Sequence, residues 1–476
     1  MSVGKIHITQ TLAKVEDLLR KDRSLSPAAR AMFELLVTII HLLVAKLGLN
    51  SSNSSIPPSQ DPHRKRGSTP KTKGRKRKPG GQNGHPGTTL EPVDDPDHIE
   101  PIAVDRRTIP PGQYKSVDYE ARQVIDIVIT RYVIEYRAEI LENPQGRHFV
   151  APFPAGVTRP VQYGYGVKVQ SVYMSQQQLI PYDRIRVYFW DQCGIQISAG
   201  SVFHFNQEAF ILLEPFESFL VRKLVQQLLL HADETGIHIN KVLYWLHCLC
   251  NEQWTFFFPH VKRGGDAIQA MGVLEYFHGR LGHDHWKTYF QFDCVHFLCN
   301  AHHLRELERA GEQDGQWWAL KMQLLLLEIH DATIKAVGCL EEADAKKFRS
   351  RYRNILTRGN RECPPAVSHN STGKPRRTAQ SKSRNLLERL RNFETETLRF
   401  MTDPIVPFTN NQCENDLRMT KVQQKISGCF RSFEGAQIFC RVRSYLSTCR
   451  KHGIQATEAL QFLFDGRLSE IIDRLE

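Results

Sequence analysis

Three acidic residues have the side-chain type and the setting of a metal-dependent phosphoryl-transfer site. Asp233 ends the apolar run LLLHA, Asp284 ends the short run GRLGH, and Glu414 lies in the helical pattern NNQCENDLR. Carboxylates from two strand ends and a helix can hold two divalent ions, because hard cations such as Mg²⁺ prefer oxygen ligands. Two such ions, about 4 Å apart, stabilise both the attacking and the leaving oxygen of a phosphoryl transfer. The sequence therefore predicts this chemistry at Asp233, Asp284 and Glu414.

Each acid has a competing explanation. Glu234 is a rival ligand beside Asp233, and Asp293 is a rival for Asp284. The glutamate of the helix could instead form an ion pair with Arg418, one helical turn later. The residues alone leave these alternatives open.

A cysteine and two histidines follow the second aspartate. Cys299 and His302 are three residues apart on a predicted helix, so they could share one helix face and ligate zinc. Two ligands do not complete a zinc site, and His302 or His303 could instead approach the catalytic cleft.

The elements that would position the acids have the pattern of a sheet. Residues 225–262 alternate apolar runs with short polar turns, which predicts a meander of three strands. A helix and a short fourth strand at GRLGHD follow, and HWKTYFQ and CNAHHLRELERAG are predicted as helices. This order suits an RNase H-like sheet, in which the first and fourth strands lie side by side. The predicted fold class is mixed α/β: an RNase H-like catalytic domain with a helical insertion, plus N-terminal helical and small β units.

The N-terminal half has weaker patterns. Residues 8–22 and 27–48 have the apolar spacing of two helices, and the stripe along the second could pack on the first helix or dimerise the chain. Residues 117–142 alternate apolar and polar side chains, which predicts two short strands. Residues 163–208 predict helices around Gly194, either a DNA-reading helix-turn-helix or an ordinary helical hairpin.

The formal net charge of +12 is concentrated in three stretches of the 476 residues. Residues 61–80 carry +8, residues 346–391 carry +12 and residues 417–451 carry +7, which leaves −15 on the rest of the chain. Segregated positive charge indicates a polyanionic partner, although a solvated basic surface is the simpler alternative. The candidate contacts for such a partner, which would be DNA contacts if the polyanion is DNA, are Arg64, Lys65, Arg66, Lys71, Lys73, Arg75, Lys76, Arg77, Lys78, Arg418, Lys421 and Lys425.

Composition excludes several classes of protein. Hydrophobic residues make up 41% and charged residues 24%, which is typical of a globular protein and not of a disordered chain. The sequence contains no apolar run long enough for a bilayer, and the N-terminus lacks the layout of a secretion signal. The 11 cysteines all lie at or after Cys193 and do not form a disulfide framework. The expected location is therefore the reducing cytoplasm, in association with the nucleoid.

Several motifs occur together in an order that resembles a known family. NSSNSSIPPSQD precedes a basic segment that ends in GGQNGHPG, and LIPYDRIRVYFWDQCGIQISAGSV lies in the predicted helical region. The motifs that follow are LLLHADETGIHIN, HDHWKTYF, CNAHHLRELE, TNNQCENDLRMTKVQQKISGCFRS and RVRSYLSTCRKHG. Over roughly residues 50–460 the sequence resembles transposases of the insertion sequence 66 family, which belong to the DDE class.

The resemblance implies that Asp233, Asp284 and Glu414 are the catalytic, metal-binding triad, with Mg²⁺ or Mn²⁺ as the cofactor. Two features depart from the family. Its members commonly carry a cysteine-rich zinc-binding unit before the helical region, whereas this chain has no cysteine before Cys193. The family's glutamate is commonly followed by arginine, and Asn415 stands at that position here.

The expected function is that of a DDE-type DNA transposase, which cuts transposon ends and joins the freed 3′-hydroxyl to target DNA. Its expected partners are double-stranded DNA, further copies of the chain in a homo-oligomer and helper proteins of the element, without a membrane. The alternatives are an RNase H-like nuclease without strand transfer and a nonenzymatic DNA-binding protein derived from a transposase.

The predicted units are an N-terminal helical hairpin (1–49), a basic flexible linker (50–90), a small β unit (91–155), a helical DNA-binding region (156–222), the first part of the catalytic core (223–300), a helical insertion (301–402), the core helix with Glu414 (403–430) and a C-terminal helical tail (431–476).

Overall fold

A computed structural model describes most of the chain. The described residues are 2–3, 6–22, 25–48, 92–116, 118–366, 368–369, 375–376 and 379–476. The predicted linker, with its basic residues from Arg64 to Lys78, lies outside them. Within the described ranges, no helix combines the length and the apolar character needed to cross a membrane.

Helices make up much of the described chain, and most of them follow the predicted pattern. The longer helices are α1 (Ile8–Lys21), α2 (Pro27–Gly48), α3 (Tyr165–Val172), α4 (Tyr182–Cys193), α5 (Ala199–Leu212), α6 (Glu214–Val225), α7 (Gly265–Ala270), α8 (Asn300–Glu312), α9 (Trp317–Lys335), α10 (Glu342–Glu362), α11 (Lys382–Asn392), α12 (Glu394–Leu398), α13 (Asn411–Ser427), α14 (Phe433–Lys451), α15 (Ala456–Phe464) and α16 (Leu468–Leu475).

The N-terminal helices α1 and α2 form a hairpin. Leu12, Leu19 and Val37 are buried in their own small apolar cluster. Other apolar residues along α2 stay exposed, including Met32 and Leu43. Packing of the second helix on the first, one of the two predicted arrangements, is therefore observed, but it uses Val37 rather than the exposed residues of the stripe, and dimerisation through the stripe stays a prediction.

One five-stranded sheet forms the centre of the molecule. Its strands are β1 (Leu229–Ile239), β2 (Val242–Cys250), β3 (Thr255–His260), β4 (Arg280–His283) and β5 (Val295–Leu298), arranged in the order β3-β2-β1-β4-β5. The first three strands are antiparallel neighbours, whereas β4 runs parallel to β1 and β5 runs parallel to β4. The mixed α/β class is confirmed, together with the predicted meander and the predicted neighbourhood of the first and fourth strands.

Local sequence explains two features of this sheet. The two-residue turn between β1 and β2 is Asn240-Lys241, with φ of 47° and 68°, and asparagine tolerates this left-handed conformation well. Gly282 of β4 lies directly against the ring of Phe297 in β5, so a side chain there would collide with it. The glycine therefore allows β4 and β5 to pair closely.

The sheet is covered on both faces. On one face, α3 to α6 and α14 to α16 pack against apolar residues such as Leu230 and Ala232. On the other face, α13 packs against residues such as Ile237 and Leu246. Helix α14, predicted as part of a C-terminal tail, also supports the edge strand β3: hydroxyl groups on α14 accept the N–H groups of Thr255 and Phe257.

The chain between Asp284 and Glu414 forms a helical layer with its own apolar core. Helices α8 to α11 contribute Leu307, Met322, Tyr352 and Leu387, all fully buried. The same cluster includes Phe297 of β5, so this layer is attached to the edge of the sheet.

Two sequence predictions are wrong. Residues 117–142 were expected to form two short strands, but only Ile140–Glu142 is a strand, paired with His148–Val150, and residues 118–139 form no strand. Alternation favours a strand only where a neighbouring strand supplies hydrogen bonds, and Val128 is instead 85% exposed. The segment HWKTYFQ was expected to be helical, but only Tyr289–Gln291 forms a single 3₁₀ turn, and the unpredicted strand β5 follows it.

Candidate active site

Asp233 and Asp284 occupy equivalent positions on neighbouring parallel strands. The register pairs His231 of β1 with Gly282 of β4, and each aspartate lies two residues beyond that pair. Asp233 does not end its strand, as the sequence suggested, since β1 continues to Ile239. Asp284 does follow the end of β4. The pairing of β1 with β4 therefore brings these two acids together.

The environment of Asp233 disfavours its negative charge. Burial raises the pKa of Asp233 to about 8, and the nearby charges of Glu234, Asp284 and Glu414 act in the same direction. The backbone N–H of Glu234 donates to Asp233 Oδ1 at 2.9 Å, which opposes the shift only in part. A carboxyl with this pKa, close to two other acids, is typical of a functional site.

Glu234, the rival of Asp233, has partners of its own. Arg263 Nη2 lies 2.5 Å from Glu234 Oε1, and the hydroxyl of Tyr289 donates to Oε2 at 2.7 Å. Burial raises the pKa of Glu234, while these two hydrogen bonds lower it. Successive side chains of a strand point to opposite faces of the sheet, so Glu234 points away from α13 and Asp233 points towards it. Glu234 thus holds Arg263 in place.

Asp293, the rival of Asp284, lies at the other end of the sheet. It precedes β5, whereas Asp284 follows β4, and these strands are parallel with Arg280 opposite Val295. Asp293 is exposed, and its backbone carbonyl contacts His278 Nδ1 at 3.1 Å. The geometry therefore separates Asp293 from the other acids and keeps Asp284 beside Asp233.

Helix α13 brings Glu414 to these two aspartates. The residue before the helix, Asn410, is buried, and its amide nitrogen donates to the carbonyl of Ala232 at 2.9 Å. The amide oxygen of Asn410 contacts His231 Nδ1 at 2.6 Å. These bonds fasten the start of α13 to β1, and Glu414 is the fourth residue of the helix.

The side chain of Glu414 faces helix α8. Its Oε1 lies 3.5 Å from Arg305 Nη2 and 3.8 Å from His302 Nδ1. Neither Oε1 nor His302 Nδ1 has a hydrogen-bond partner, although both atoms are buried. The alternative of an ion pair with Arg418 is not adopted, because Glu414 is directed towards α8.

A cleft of about 260 Å³ adjoins the acids. The residues that line it are Arg263, Asp284, His285, Trp286, Leu298, Cys299, His302, His303, Glu306 and Arg389. Burial lowers the pKa of His285 to about 4 and that of His303 well below its usual value, and it lowers the pKa of His302 as well. The cleft is therefore lined by histidines that are neutral near pH 7.

The donor set fits a divalent cation in chemistry and charge. It consists of carboxylate oxygens, one of which, Glu414 Oε1, is buried without a hydrogen bond. In one group of close ligand atoms, Glu414 lies with Cys299 and His302, and the three ligand atoms are within 4.8 Å of one another. Asp233 and Asp284 lie outside that close group, although the charges of Asp284 and Glu414 both act on Asp233.

Cys299 and the two histidines have distinct positions. Cys299 precedes α8, and its Sγ accepts the backbone N–H of Asn410 at 3.1 Å. His302 approaches the acids, whereas His303 is buried and contacts Asn300 Oδ1 at 3.0 Å. One of these histidines was expected to reach the cleft, and in the structure both His302 and His303 line it.

Three of the predicted DNA contacts share a face with Glu414. Arg418, Lys421 and Lys425 follow it at helical spacing, and all three are exposed. The ammonium group of Lys421 also donates to the carbonyl of Gly236 in β1, at 3.1 Å. The other predicted contacts, from Arg64 to Lys78, lie outside the described residues.

Sequence reasoning missed residues that position the site. Arg263 lies between the rings of Trp245 and Trp286, with its guanidinium carbon 4.9 and 4.7 Å from their centres. Arg305 and Asn410 support Glu414, as described above. The available signal for Asn410 was the polar pair at the start of the predicted helix in TNNQCEN, because a polar side chain that is buried there needs hydrogen-bond partners. No local pattern marks Arg263 or Arg305.

Comparison with known families identifies two family models that match the chain. The model of the Transposase IS66 family matches residues 160–438, which include the whole sheet and α13. A family of unknown function, DUF6444, matches residues 6–91. A search of curated proteins found no match. The first match confirms the resemblance seen in the sequence.

Proposed function

Because the chain belongs to the Transposase IS66 family, we propose that it cuts DNA at transposon ends and joins them to target DNA, using divalent ions held by Asp233, Asp284 and Glu414. The observation that carries this proposal is the convergence of the three acids. The β1–β4 register aligns the two aspartates, and the charges of Asp284 and Glu414 both raise the pKa of Asp233.

The sheet supports an RNase H-like fold for the catalytic domain. Its strand order is β3-β2-β1-β4-β5, with three antiparallel strands followed by two that run parallel to β1. Helices cover both faces, and a helical insertion separates the second and third acids. This arrangement holds two acids on rigid strands and one on a helix, so the scaffold fixes their spacing.

Mg²⁺ or Mn²⁺ bound by the three carboxylates would stabilise the negative charge on the attacking and leaving oxygens of a phosphodiester. The protein residues prepare this site. Asp233 must give up its proton before it can ligate a cation, since its pKa is about 8. Arg305 forms an ion pair with Glu414 at 3.5 Å, which directs this carboxylate towards α8.

The surroundings of the acids suit a phosphate backbone. Arg263, stacked between two tryptophan rings, presents its guanidinium at the cleft and is 40% exposed. Guanidinium groups bind phosphate oxygens in a fixed geometry. Arg418, Lys421 and Lys425 continue the positive charge along α13. We therefore propose that a DNA strand passes from the cleft along this exposed face.

We propose double-stranded DNA, as transposon ends and as target, for the macromolecular partner. Cutting two ends and joining them to one target is suited to more than one copy of the chain, and helper proteins of the element would act with that assembly. The basic residues from Arg64 to Lys78 would add phosphate contacts, and the affinity should fall steeply with salt.

The proposal is tested with linear DNA that carries the ends of the encoding element. The full-length protein, incubated with Mg²⁺, should cut at the ends and produce strand-transfer products with a supercoiled target. Asp233→Asn and Glu414→Gln should abolish both reactions while leaving DNA binding unchanged. Asp293→Asn is the matched control, because this acid lies at the opposite end of the sheet, and it should retain activity.

Other outcomes identify the alternatives. Cleavage without any strand-transfer product would indicate a nuclease. DNA binding without cleavage in either Mg²⁺ or Mn²⁺ would indicate a nonenzymatic binding protein. Cleavage by Glu414→Gln at the normal rate would show that the triad is wrong.

A further inference from the structure

Three thiols meet where α13 begins against β2. Cys248 and Cys250 lie two residues apart on β2, so they share a face of the sheet. Cys413 is the third residue of α13 and packs onto that face. All three side chains are buried, with at most 1% of each residue exposed. Their sulfur atoms all lie within 4.8 Å of one another.

This spacing matches a metal-bound set of thiolates. With metal–sulfur bonds of about 2.3 Å, three sulfurs around one ion lie roughly 4 Å apart. A small inward movement of the side chains would therefore complete the geometry. A disulfide would instead join two of the sulfurs and leave the third unused, and all three are free thiols in the structure. Thiolates select soft cations such as Cu⁺ and Zn²⁺ over Mg²⁺.

We propose that Cys248, Cys250 and Cys413 form a binding site for a thiophilic metal ion, Zn²⁺ or Cu⁺, which fastens the first turn of α13 to β2. The site is separate from the carboxylate site and does not depend on the reaction proposed for it.

Charged groups near the thiols suit an ion held by thiolates. The ammonium group of Lys451 contacts Asp416 Oδ2 at 2.6 Å and donates to the carbonyls of Asn251 and Trp254. Lys451 also acts electrostatically on Cys250, as does His231. The charge of Lys451 offsets part of the negative charge that three thiolates would bring into a buried region, whereas Asp416, its ion-pair partner, acts in the opposite direction by raising the pKa of Cys248.

The position of the site links the ion to the catalytic helix. Cys413 immediately precedes Glu414, and its Sγ already contacts the carbonyl of Cys248 at 3.6 Å. An ion there would add a second attachment of α13 to the sheet, beside the one made by Asn410. Because the thiols are buried, the ion should enter during folding and leave slowly when a chelator is added.

The experiment uses the full chain, stripped of metal by unfolding with a reductant and a chelator and then refolded. Zn²⁺ and Cu⁺ are titrated in separate arms against a chromogenic chelator. We expect one tightly bound equivalent, and Cys250→Ser should weaken its binding by at least about 100-fold. With Co²⁺ as the probe, the wild type should show sulfur-to-metal charge-transfer absorption that this variant lacks.

Two other thiols provide matched controls. Cys440 is also 1% exposed and lies in the same apolar cluster, but outside the three thiols, so Cys440→Ser should bind normally. Cys299 belongs to the other close ligand cluster, with His302 and Glu414. Loss of the ion in Cys299→Ser instead of Cys250→Ser would place it in the cleft and overturn the proposal.

A folding defect is distinguished by thermal melting. Added Zn²⁺ or Cu⁺ should raise the melting temperature of the wild type and of Cys440→Ser, but not that of Cys250→Ser or Cys413→Ala. The proposal is wrong if the wild type binds neither ion, or if Cys250→Ser keeps the full equivalent. It is also wrong if mass spectrometry of the native protein finds a disulfide among the three thiols.

Discussion

Helices α10 and α13 both carry runs of basic residues, but they use that charge differently. On α10, Arg349 and Arg353 pair with Glu394 of α12, and Arg351 pairs with Glu328 of α9. On α13, Arg418 and Lys425 are exposed, and among the described residues no ion pair involves either of them. Positive charge on α10 is therefore largely committed to the protein, whereas on α13 it is available to a ligand.

The difference shows why a count of charges along the chain is incomplete. Residues 346–391 carry +12, more than the +7 of residues 417–451. The acids that pair with α10 lie on other helices, so their effect emerges only in the folded protein. The smaller basic stretch is the one that borders the carboxylates, which makes α13 the better candidate for a DNA-binding surface.

The largest effect should come from comparing one glutamate beside each helix. Glu414→Gln removes a ligand from the proposed metal site, so cleavage should fall by roughly 10³-fold or more, which corresponds to about 4 kcal/mol. Glu394→Gln removes an acid that only pairs with arginines, so cleavage should change by less than about threefold. Rates are measured on end DNA with saturating Mg²⁺. Equal losses in the two variants would remove the distinction between the helices.

Much of the site could be predicted from the sequence, because its strands have strong local signals. The apolar runs that precede Asp233 and Asp284 are bounded by turn residues, and the order of the elements fixed which strands are neighbours.

The remaining features depend on contacts that are distant along the chain. Strand β5 has four residues and is held by pairing with β4 and by packing against the helical layer, so its local pattern is weak. Residues 118–139 have a strong strand pattern but no neighbouring strand in the described structure. Arg263 donates a hydrogen bond to Glu234, which lies 29 residues earlier in the sequence, and no local spacing indicates this contact.

The second prediction compares DNA binding by the two helices. The triple variant Arg418→Gln, Lys421→Gln, Lys425→Gln should lower the slope of log affinity against log salt by about 2–3, because each phosphate contact contributes about 0.9. The matched variant Arg349→Gln, Arg351→Gln, Arg353→Gln removes the same charge from α10. Its slope should change by less than about 1. Affinities are measured by fluorescence anisotropy, and a larger change for the α10 variant would contradict the comparison.

The third prediction concerns Asp233 of β1, which faces α13, and the dependence of metal binding on pH. Below a pH of about 8 the carboxyl of Asp233 holds a proton, so a metal ion must displace it. Metal affinity should rise with pH by up to about tenfold per unit and level off above that pKa. Calorimetric titration with Mn²⁺ from pH 6 to pH 9 tests this expectation.

The same pKa affects the stability of the metal-free protein. The contribution of Asp233 to stability is fully present below the pKa of the unfolded carboxyl, about 4, and is lost as the pH rises through about 8. In Asp233→Asn, both this loss and the proton release on metal binding should disappear. A pH slope that persists in Asp233→Asn would assign the titration to another group.

The smallest effect should come from Arg351→Gln. Arg351 and Glu328 are 52% and 51% exposed, and exposed ion pairs typically contribute 0–1 kcal/mol, so the free energy of unfolding should change by less than about 1 kcal/mol. A double-mutant cycle with Glu328→Gln should give a coupling of the same small size, since both partners stay hydrated. If Arg351 instead bound DNA, this single substitution would lower the salt slope by about 0.9 without any coupling to Glu328. That outcome would show that α10, despite its ion pairs, belongs to the same DNA-binding surface as α13.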